Sequence, residues 1–328
     1  MSHDVQIISL SDPDLWRAEL AVDGRPSQAW DYLSAISRAG AQPQLAIVRA
    51  GGARLVLPFV EREWSGCVDI ATPLGLSGAS MQPVSAAPFA AWREYAISRC
   101  WVAGYMQLAE DLEVEPASEL DRMVAGNEIF VLDLAGSDPM LSASEIVRRK
   151  LRRSLGNGTV LVRDPAVLAD ALVRLYPDTM ARLGANAVYL HDEAGLRQFT
   201  KLAGAVAVGA AVDGIIESVS VFLRHGRRAE YLCNACSMQG RDLAAWLIGE
   251  AVKLLQADGA SELNLGGGVV AGDGLHQFKA RFNGRPRRLR SLRQIYDKAR
   301  YLELCAASGA VQAGDWFPAY RRPASPQA

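Results

Sequence analysis

Leu263-Asn264-Leu265-Gly266-Gly267-Gly268, followed four residues later by Asp273-Gly274-Leu275-His276-Gln277-Phe278-Lys279-Ala280-Arg281-Phe282-Asn283-Gly284, is the stretch from which the fold is read. Leu263 and Leu265 alternate with polar neighbours, which predicts a half-buried strand. Three successive glycines uncover backbone amides and allow positive φ. Leu275, Phe278 and Phe282 then recur at i, i+3 and i+7, the spacing of one helix face. Lys279 falls one turn after Leu275 at the border of that face, where a lysine can bury its stem and send its ammonium into a cleft.

LNLGGG followed by DGLHQFKARFNG resembles the C-terminal signature of the Fem-type aminoacyltransferases, the FemABX family. The resemblance implies an α/β fold of two fused GNAT-like (N-acyltransferase) domains, with mixed sheets flanked by helices. It also implies that Phe278 and Lys279 are the pair beside the reacting acyl group. Gly266, Gly267, Gly268 and Asp273, which frame the same helix, are the expected substrate contacts.

The totals fit one large domain or two ordinary ones: 328 residues, half of them apolar, enough for a full core. Net charge is −1, but residues 1–145 carry 9 Lys+Arg against 20 Asp+Glu, and residues 146–328 carry 26 against 16. An acidic unit followed by a basic one suggests that the second meets phosphates. No run approaches about 18 consecutive apolar residues. The N-terminus lacks a basic segment followed by a long apolar one, so no signal peptide is expected. Five cysteines without framework spacing suit a reducing, cytoplasmic setting.

Outward from the opening stretch, a nearly all-apolar helix is expected over 242–257 and three β-rich runs over 205–212, 215–223 and 229–236, the first turn marked by Asp213-Gly214. Hairpin, strand, helix, strand is the GNAT order, and in that fold the strands flanking the helix splay to open the acyl-donor cleft. Earlier come helices over 165–183 and 193–202 and a strand over 159–163. Before them Ser144 opens a basic helix carrying Arg148, Arg149, Lys150, Arg152 and Arg153. Crowded cations repel unless anions approach. The helix resembles the family's basic helix, in which an arginine contacts substrate phosphates; Arg152 matches best and Arg148 next.

The first half reads as helices from 11 and over 27–37, strands over 44–49 and 54–60 joined at Gly51-Gly52, a Gly/Ser loop over 72–80, a helix over 88–102, and strands over 105–108 and 129–134. The loop resembles the segment facing the acceptor cleft in Fem-type enzymes. Turn chemistry at 136–139 marks the boundary. The expected domains are therefore 1–138, on the acceptor side and joined by the aromatic tail 305–328, and 139–304, on the catalytic and donor side.

Several chemistries lack their residues. Cys233 and Cys236 form a lone pair inside an expected strand, the four histidines are scattered, and no metal is expected. No Gly-x-Ser-x-Gly elbow, P-loop or dinucleotide fingerprint occurs. The CoA-binding loop of acetyl-CoA-dependent GNAT enzymes is degraded: Gly240 is present, but Asp242 stands where a second small residue belongs and would repel a pyrophosphate. The expected function is transfer of an aminoacyl group from aminoacyl-tRNA to an amine of a small molecule or envelope precursor. No tightly bound cofactor and no DNA partner are expected. The alternatives are an acyl-CoA-dependent N-acyltransferase on an amino sugar or similar amine, and a non-catalytic module that binds RNA or an anionic ligand.

Overall fold

The computed structural model describes residues 4–21, 23–37, 41–136, 138–156, 158–186, 189–268, 270, 272–310 and 316–322, with the side chains of 153–156 left aside. The first half runs β1 (Asp4–Ser9), α1 (Pro13–Leu20), α2 (Trp30–Ala35), β2 (Pro43–Ala50), β3 (Ala53–Trp64), β4 (Cys67–Ala71), β5 (Ser80–Gln82), α3 (Ala87–Ser98), β6 (Ala103–Leu108) and β7 (Asp121–Asp133). The second runs α4 (Glu145–Gly156), β8 (Val160–Val162), α5 (Pro165–Leu183), α6 (Glu193–Phe199), β9 (Ala205–Val212), β10 (Ile215–His225), β11 (Arg228–Cys236), α7 (Ala244–Ala257), β12 (Glu262–Gly267), α8 (Gly274–Ala280), β13 (Arg285–Ile295) and α9 (Lys298–Ala307).

All strands join one mixed sheet in the order β1-β2-β3-β4-β6-β13-β7-β12-β11-β10-β9-β8, with β5 on β3. The fold is the expected pair of GNAT-like halves. Each repeats an antiparallel meander, a helix and a strand parallel to the meander's last: β4-α3-β6 and β11-α7-β12. The halves then exchange their final strands. β7 pairs with β12 (Leu263↔Leu132), and β13 pairs with β6 (Leu292↔Met106) as well as with β7. Ser137, within the expected boundary, lies outside the described residues.

The alternation of apolar residues decides the layering. On β2 and β3, Leu45, Ile47 and Val56 face one core, while Ala46, Val48, Leu55 and Leu57 face another with α3. The first core is shared between halves: Trp16, Leu20, Tyr32 and Leu33 from α1 and α2 pack with Leu168, Leu172, Tyr176 and Phe199 from α5 and α6. Each such fully buried apolar side chain contributes about 1.5–3 kcal/mol, so the halves are bound through their interiors. A third core lies beneath α7, with Trp246, Leu247, Ile248, Leu263, Leu265 and Phe282. Beyond α9, Tyr320 donates to Asp69 Oδ2 at 2.8 Å and Arg321 reaches the same oxygen. Trp316 is half-exposed, and residues 311–315 and 323–328 lie outside the described residues.

Sequence expectation and structure part in five places. The helix expected over 27–37 is a 3-10 turn at Pro26–Gln28 and then α2, because Ala29 between them is extended at ψ 140°. β7 begins at Asp121, well before residue 129, since its polar, glycine-containing first half is held by ladder bonds to β13 rather than by a buried face. β1 and β4 were not legible as strands. Nor was α9 legible as a helix, although Asp297 caps it by accepting from Arg300 N–H.

Candidate active site

β11 and β12 run parallel only over Arg228↔Glu262, Ala229↔Leu263 and Glu230↔Asn264. Beyond these pairs β11 stays with β10, while β12 turns to β7, where Gly267 opposes Ile129. The strands therefore diverge just where the glycines begin, and a cleft opens between them. Asn264 Oδ1 accepts from Gly266 N–H at 2.8 Å, and Gly266 at φ +69° carries the chain out of the strand.

Each glycine marks a close approach. A Cβ on Gly266 would sit 3.0 Å from Lys279 Nζ, one on Gly267 would meet Glu128 O at 2.0 Å, and one on Gly268 would meet Asp273 Oδ1 at 2.3 Å. The loop thus lies against Lys279, β7 and the start of α8 in turn, and any side chain would push one of them away. Asp273 caps α8, accepting from His276 N–H at 2.7 Å and, on its other oxygen, from Val270 N–H at 2.9 Å. Its structural work is to fix the helix that carries Lys279.

Lys279 is not the border residue that helical spacing suggests; it is only 9% exposed. Its Nζ donates to Gly267 O at 2.9 Å and stands 5.8 Å from the centre of the Tyr231 ring. An ammonium has three donors, so two remain for a substrate. Burial brings its pKa down to about 8, opposed by the Asp273 carboxylate. Phe278, its sequence neighbour, meets Phe282 edge-on at 5.4 Å and packs on the core under α7.

Across the cleft lies the 72–80 loop of the first half. Leu76 carbons lie 3.4 and 3.6 Å from the Cβ position of Gly266. The next residue, Ser77, donates through Oγ to Glu230 Oε1, and Ser27 also hydrogen-bonds that carboxylate. Ser27 and Ser77 exchange backbone-to-hydroxyl bonds of 3.0 and 2.8 Å. Gln28 ties the same loop through Gly78 O and Ser80. Burial pushes Glu230 up to about 7 against the pull of these hydroxyls. Sequence reading missed Glu230, Asn264, Arg25, Ser27 and Ser77. The available signal was a carboxylate in a largely apolar strand, which no motif spacing distinguishes from a surface residue.

The structure brings Lys279, Gly266, Gly267, Gly268 and Asp273 into one corner. Arg148 and Arg152 stand apart on α4, both on Glu145, at 2.9 and 2.5 Å, and both are substantially exposed. α4 is anchored to the corner from its start, where Ser144 N–H donates to Arg281 O at 2.8 Å. Gly240 has a packing explanation, since a Cβ there would lie 1.9 Å from Glu217 O. Asp242, in the 3-10 turn before α7, pairs with Lys150 at 2.7 Å. A carboxylate therefore stands in the turn that leads into α7.

The chain has the Fem-like, GNAT-like fold. It is similar to the crystal structure of FemX over 92% of this chain and 99% of that one, at 13% identity and a TM-score of 0.67. It is similar to the C-terminal domain of a putative lysylphosphatidylglycerol synthetase from Agrobacterium fabrum, over 89% and 94%, at 15% identity and a TM-score of 0.58. It is also similar to L-PGS from Bacillus licheniformis, over 88% and 92%, at 10% identity and a TM-score of 0.59. No protein-family model matches the sequence, and no curated protein matches it. Among the described residues no helix is long and apolar enough to cross a membrane, and no group of His, Cys, Asp and Glu is placed to hold a metal ion.

Proposed function

We propose that the protein is an acyltransferase that moves an aminoacyl group from aminoacyl-tRNA onto an amine of a small molecule or envelope precursor, forming an amide. The observation that carries this reading is the buried Lys279 ammonium in the β11/β12 cleft, held by Gly267 O with donors to spare. The amine attacks the ester carbonyl, and Lys279 gives the tetrahedral oxyanion a charge-assisted hydrogen bond. Phe278, next to Lys279 on α8, shapes and dries the cleft. Arg148 and Arg152 exchange Glu145 for substrate phosphates, the first half (1–138) presents the acceptor, and the second (139–304) holds the donor. The name of one structurally similar protein, a putative lysylphosphatidylglycerol synthetase, denotes an aminoacyl product. Asp242 argues against the CoA donor, because its charge would oppose a pyrophosphate.

The test is a screen of labelled aminoacyl-tRNAs and acyl-CoAs against a panel of amines, with melting temperature followed in parallel. Transfer from an aminoacyl-tRNA and no thermal shift with acetyl-CoA are expected. Ligand linkage gives about 2.7 kcal/mol at a hundredfold excess over Kd, so a clear upward shift with acetyl-CoA would install the CoA donor instead. Binding of RNA without any transfer would leave a non-catalytic module.

A further inference from the structure

Helix α4 has one face packed on the protein and one face turned to solvent, and the second is not an ordinary polar face. Val147 is buried, and Leu151 Cδ2 lies 2.8 Å from the Cβ position of Gly249 on α7. At about 100° per residue, Val147 and Leu151 point about 40° apart, Arg149 points nearly opposite them, and Ile146 stands about 60° to one side of Arg149. Ile146 is 44% exposed. Arg149 is exposed and forms no ion pair among the described residues.

The turn before α4 adds a second apolar side chain. In the 3-10 turn Pro139–Ser142, Met140 is buried while Leu141 is 65% exposed. The turn is closed by hydrogen bonds. Asp138 Oδ1 accepts from Met140 N–H at 3.0 Å, Ser142 Oγ donates to Pro139 O at 3.0 Å, and Arg148 reaches back from α4 to donate to Leu141 O at 3.3 Å. Leu141 is therefore held out in water by a fixed turn. Met238, beside the turn whose Asp242 pairs with Lys150, is exposed as well. One exposed leucine is ordinary; a leucine and an isoleucine set among arginines need a partner that accepts both. Residues 145–153 carry five cations against the one carboxylate of Glu145, and Arg148 and Arg152 already neutralise that carboxylate. Arg281, exposed where α8 meets Ser144, adds a further cation.

We infer that α4 and the Leu141 turn form a docking surface for an anionic lipid bilayer. The helix lies flat in the headgroup layer, with Leu141 and Ile146 at the boundary of the acyl chains and Arg149 among the lipid phosphates. Aliphatic anchors and cations are each weak attachments singly, and together they give reversible binding. RNA also attracts arginines, but its single strands are held on aromatic faces. The exposed apolar side chains here, Leu141, Ile146 and Met238, include no aromatic ring, and a duplex offers nothing to bury against them. Docking also orients the cleft. Ser144 N–H donates to Arg281 O, two residues beyond Lys279, so the surface that meets the bilayer is fastened to the helix that carries the lysine. The inference goes beyond the acyltransferase reading and does not depend on it.

The test is co-sedimentation of the full chain with two kinds of vesicle: phosphatidylcholine alone, and phosphatidylcholine with about a third phosphatidylglycerol to supply negative surface charge. The wild type should sediment with the anionic vesicles and stay in solution with the neutral ones. Ile146→Asp and Leu141→Asp should each weaken that binding roughly tenfold or more, the weight of burying one large aliphatic side chain. Arg149→Gln should weaken it about fivefold, the weight of one cation at an anionic surface. All three side chains are exposed, so the melting temperature should stay where it is. No sedimentation with the anionic vesicles overturns the docking surface, and so does sedimentation that all three variants leave unchanged. Full binding by both aspartate variants with loss in Arg149→Gln reduces the contact to charge and overturns the apolar anchors. Binding of an RNA hairpin without binding of either vesicle gives the arginines to RNA and overturns the inference too. The assay contains neither acyl donor nor amine, so a failed transfer screen leaves its result standing, and a failed vesicle assay leaves the transfer reading standing.

Discussion

The sheet contains two openings of the same design, and they have been put to different uses. In the first half β4 and β6 pair in parallel over Ile70↔Gly104 and Ala71↔Tyr105 beside α3; in the second half β11 and β12 do so beside α7. The first opening is stitched shut. Thr72 N–H donates to Tyr105 O at 2.9 Å, Gln107 N–H to Thr72 Oγ1 at 3.1 Å, and the Gln107 amide reaches Gly75 O at 2.8 Å and Leu76 O at 3.3 Å. The second is held open by glycines that admit a lysine. Backbone topology creates both gaps, and a handful of side chains decides which is a joint and which a cleft. The joint also serves the cleft, because the loop it fastens is the one that places Leu76 over Gly266 and Ser77 on Glu230.

The largest effect that would sharpen this contrast belongs to Lys279. Lys279→Ala should lower turnover by roughly 100- to 1000-fold, the scale for one lost oxyanion donor, with substrate affinity little changed. Near-normal steady-state turnover would make the second opening structural as well. Burial also reverses the stability expectation for an exposed lysine. The folded pKa, about 8, lies below the ordinary lysine value, so a native ammonium is penalised below pH 8 and the penalty fades as pH rises through 8 towards 10.5. Lys279→Met should therefore melt higher than wild type at pH 7, and the difference should shrink by pH 10. A constant difference across that range would mean that the ammonium is well solvated.

Gly267→Ala comes next. Its Cβ would stand 2.0 Å from Glu128 O, a rigid backbone atom on β7, so β12 and β7 must part at a cost of about 2–3 kcal/mol. Denaturant unfolding that shows less than half of this would mean the glycine is not set by β7. The smallest effect is expected at the joint. Gln107→Ala strips donors from two carbonyls and should cost about 1 kcal/mol. Turnover should fall only modestly through a looser 72–80 loop. A loss as large as that of Lys279→Ala would place chemistry in the first opening and dissolve the distinction.

The corner around Lys279 was legible in the sequence because its constraints are local. Alternation in LNL, three glycines and an i, i+3, i+7 helix are properties of adjacent residues. Gly51-Gly52 and Asp213-Gly214, all at positive φ, were legible as hairpin turns for the same reason. Glu230 was not, because what makes it unusual arrives from elsewhere: Ser27 and Ser77 come from the other half of the chain, and burial is a property of the assembled core. The depth of Lys279 was hidden similarly, since Leu76 and Tyr231, which cover it, are distant in sequence. Strand β7 escaped because its first half is held by ladder bonds to β13, which leave no hydrophobic period to read.

The exchange of β7 and β13 sets an order of events at the ribosome. β6 can complete its ladder only when residues 285–295 have emerged, and β12 closes on a strand made long before it. The amino-terminal half therefore leaves synthesis with an open sheet edge and waits for the carboxyl-terminal strand to seal it. Neither half is a finished object while the other is missing, so a chain cut at the boundary would yield fragments that need to find each other before either becomes native.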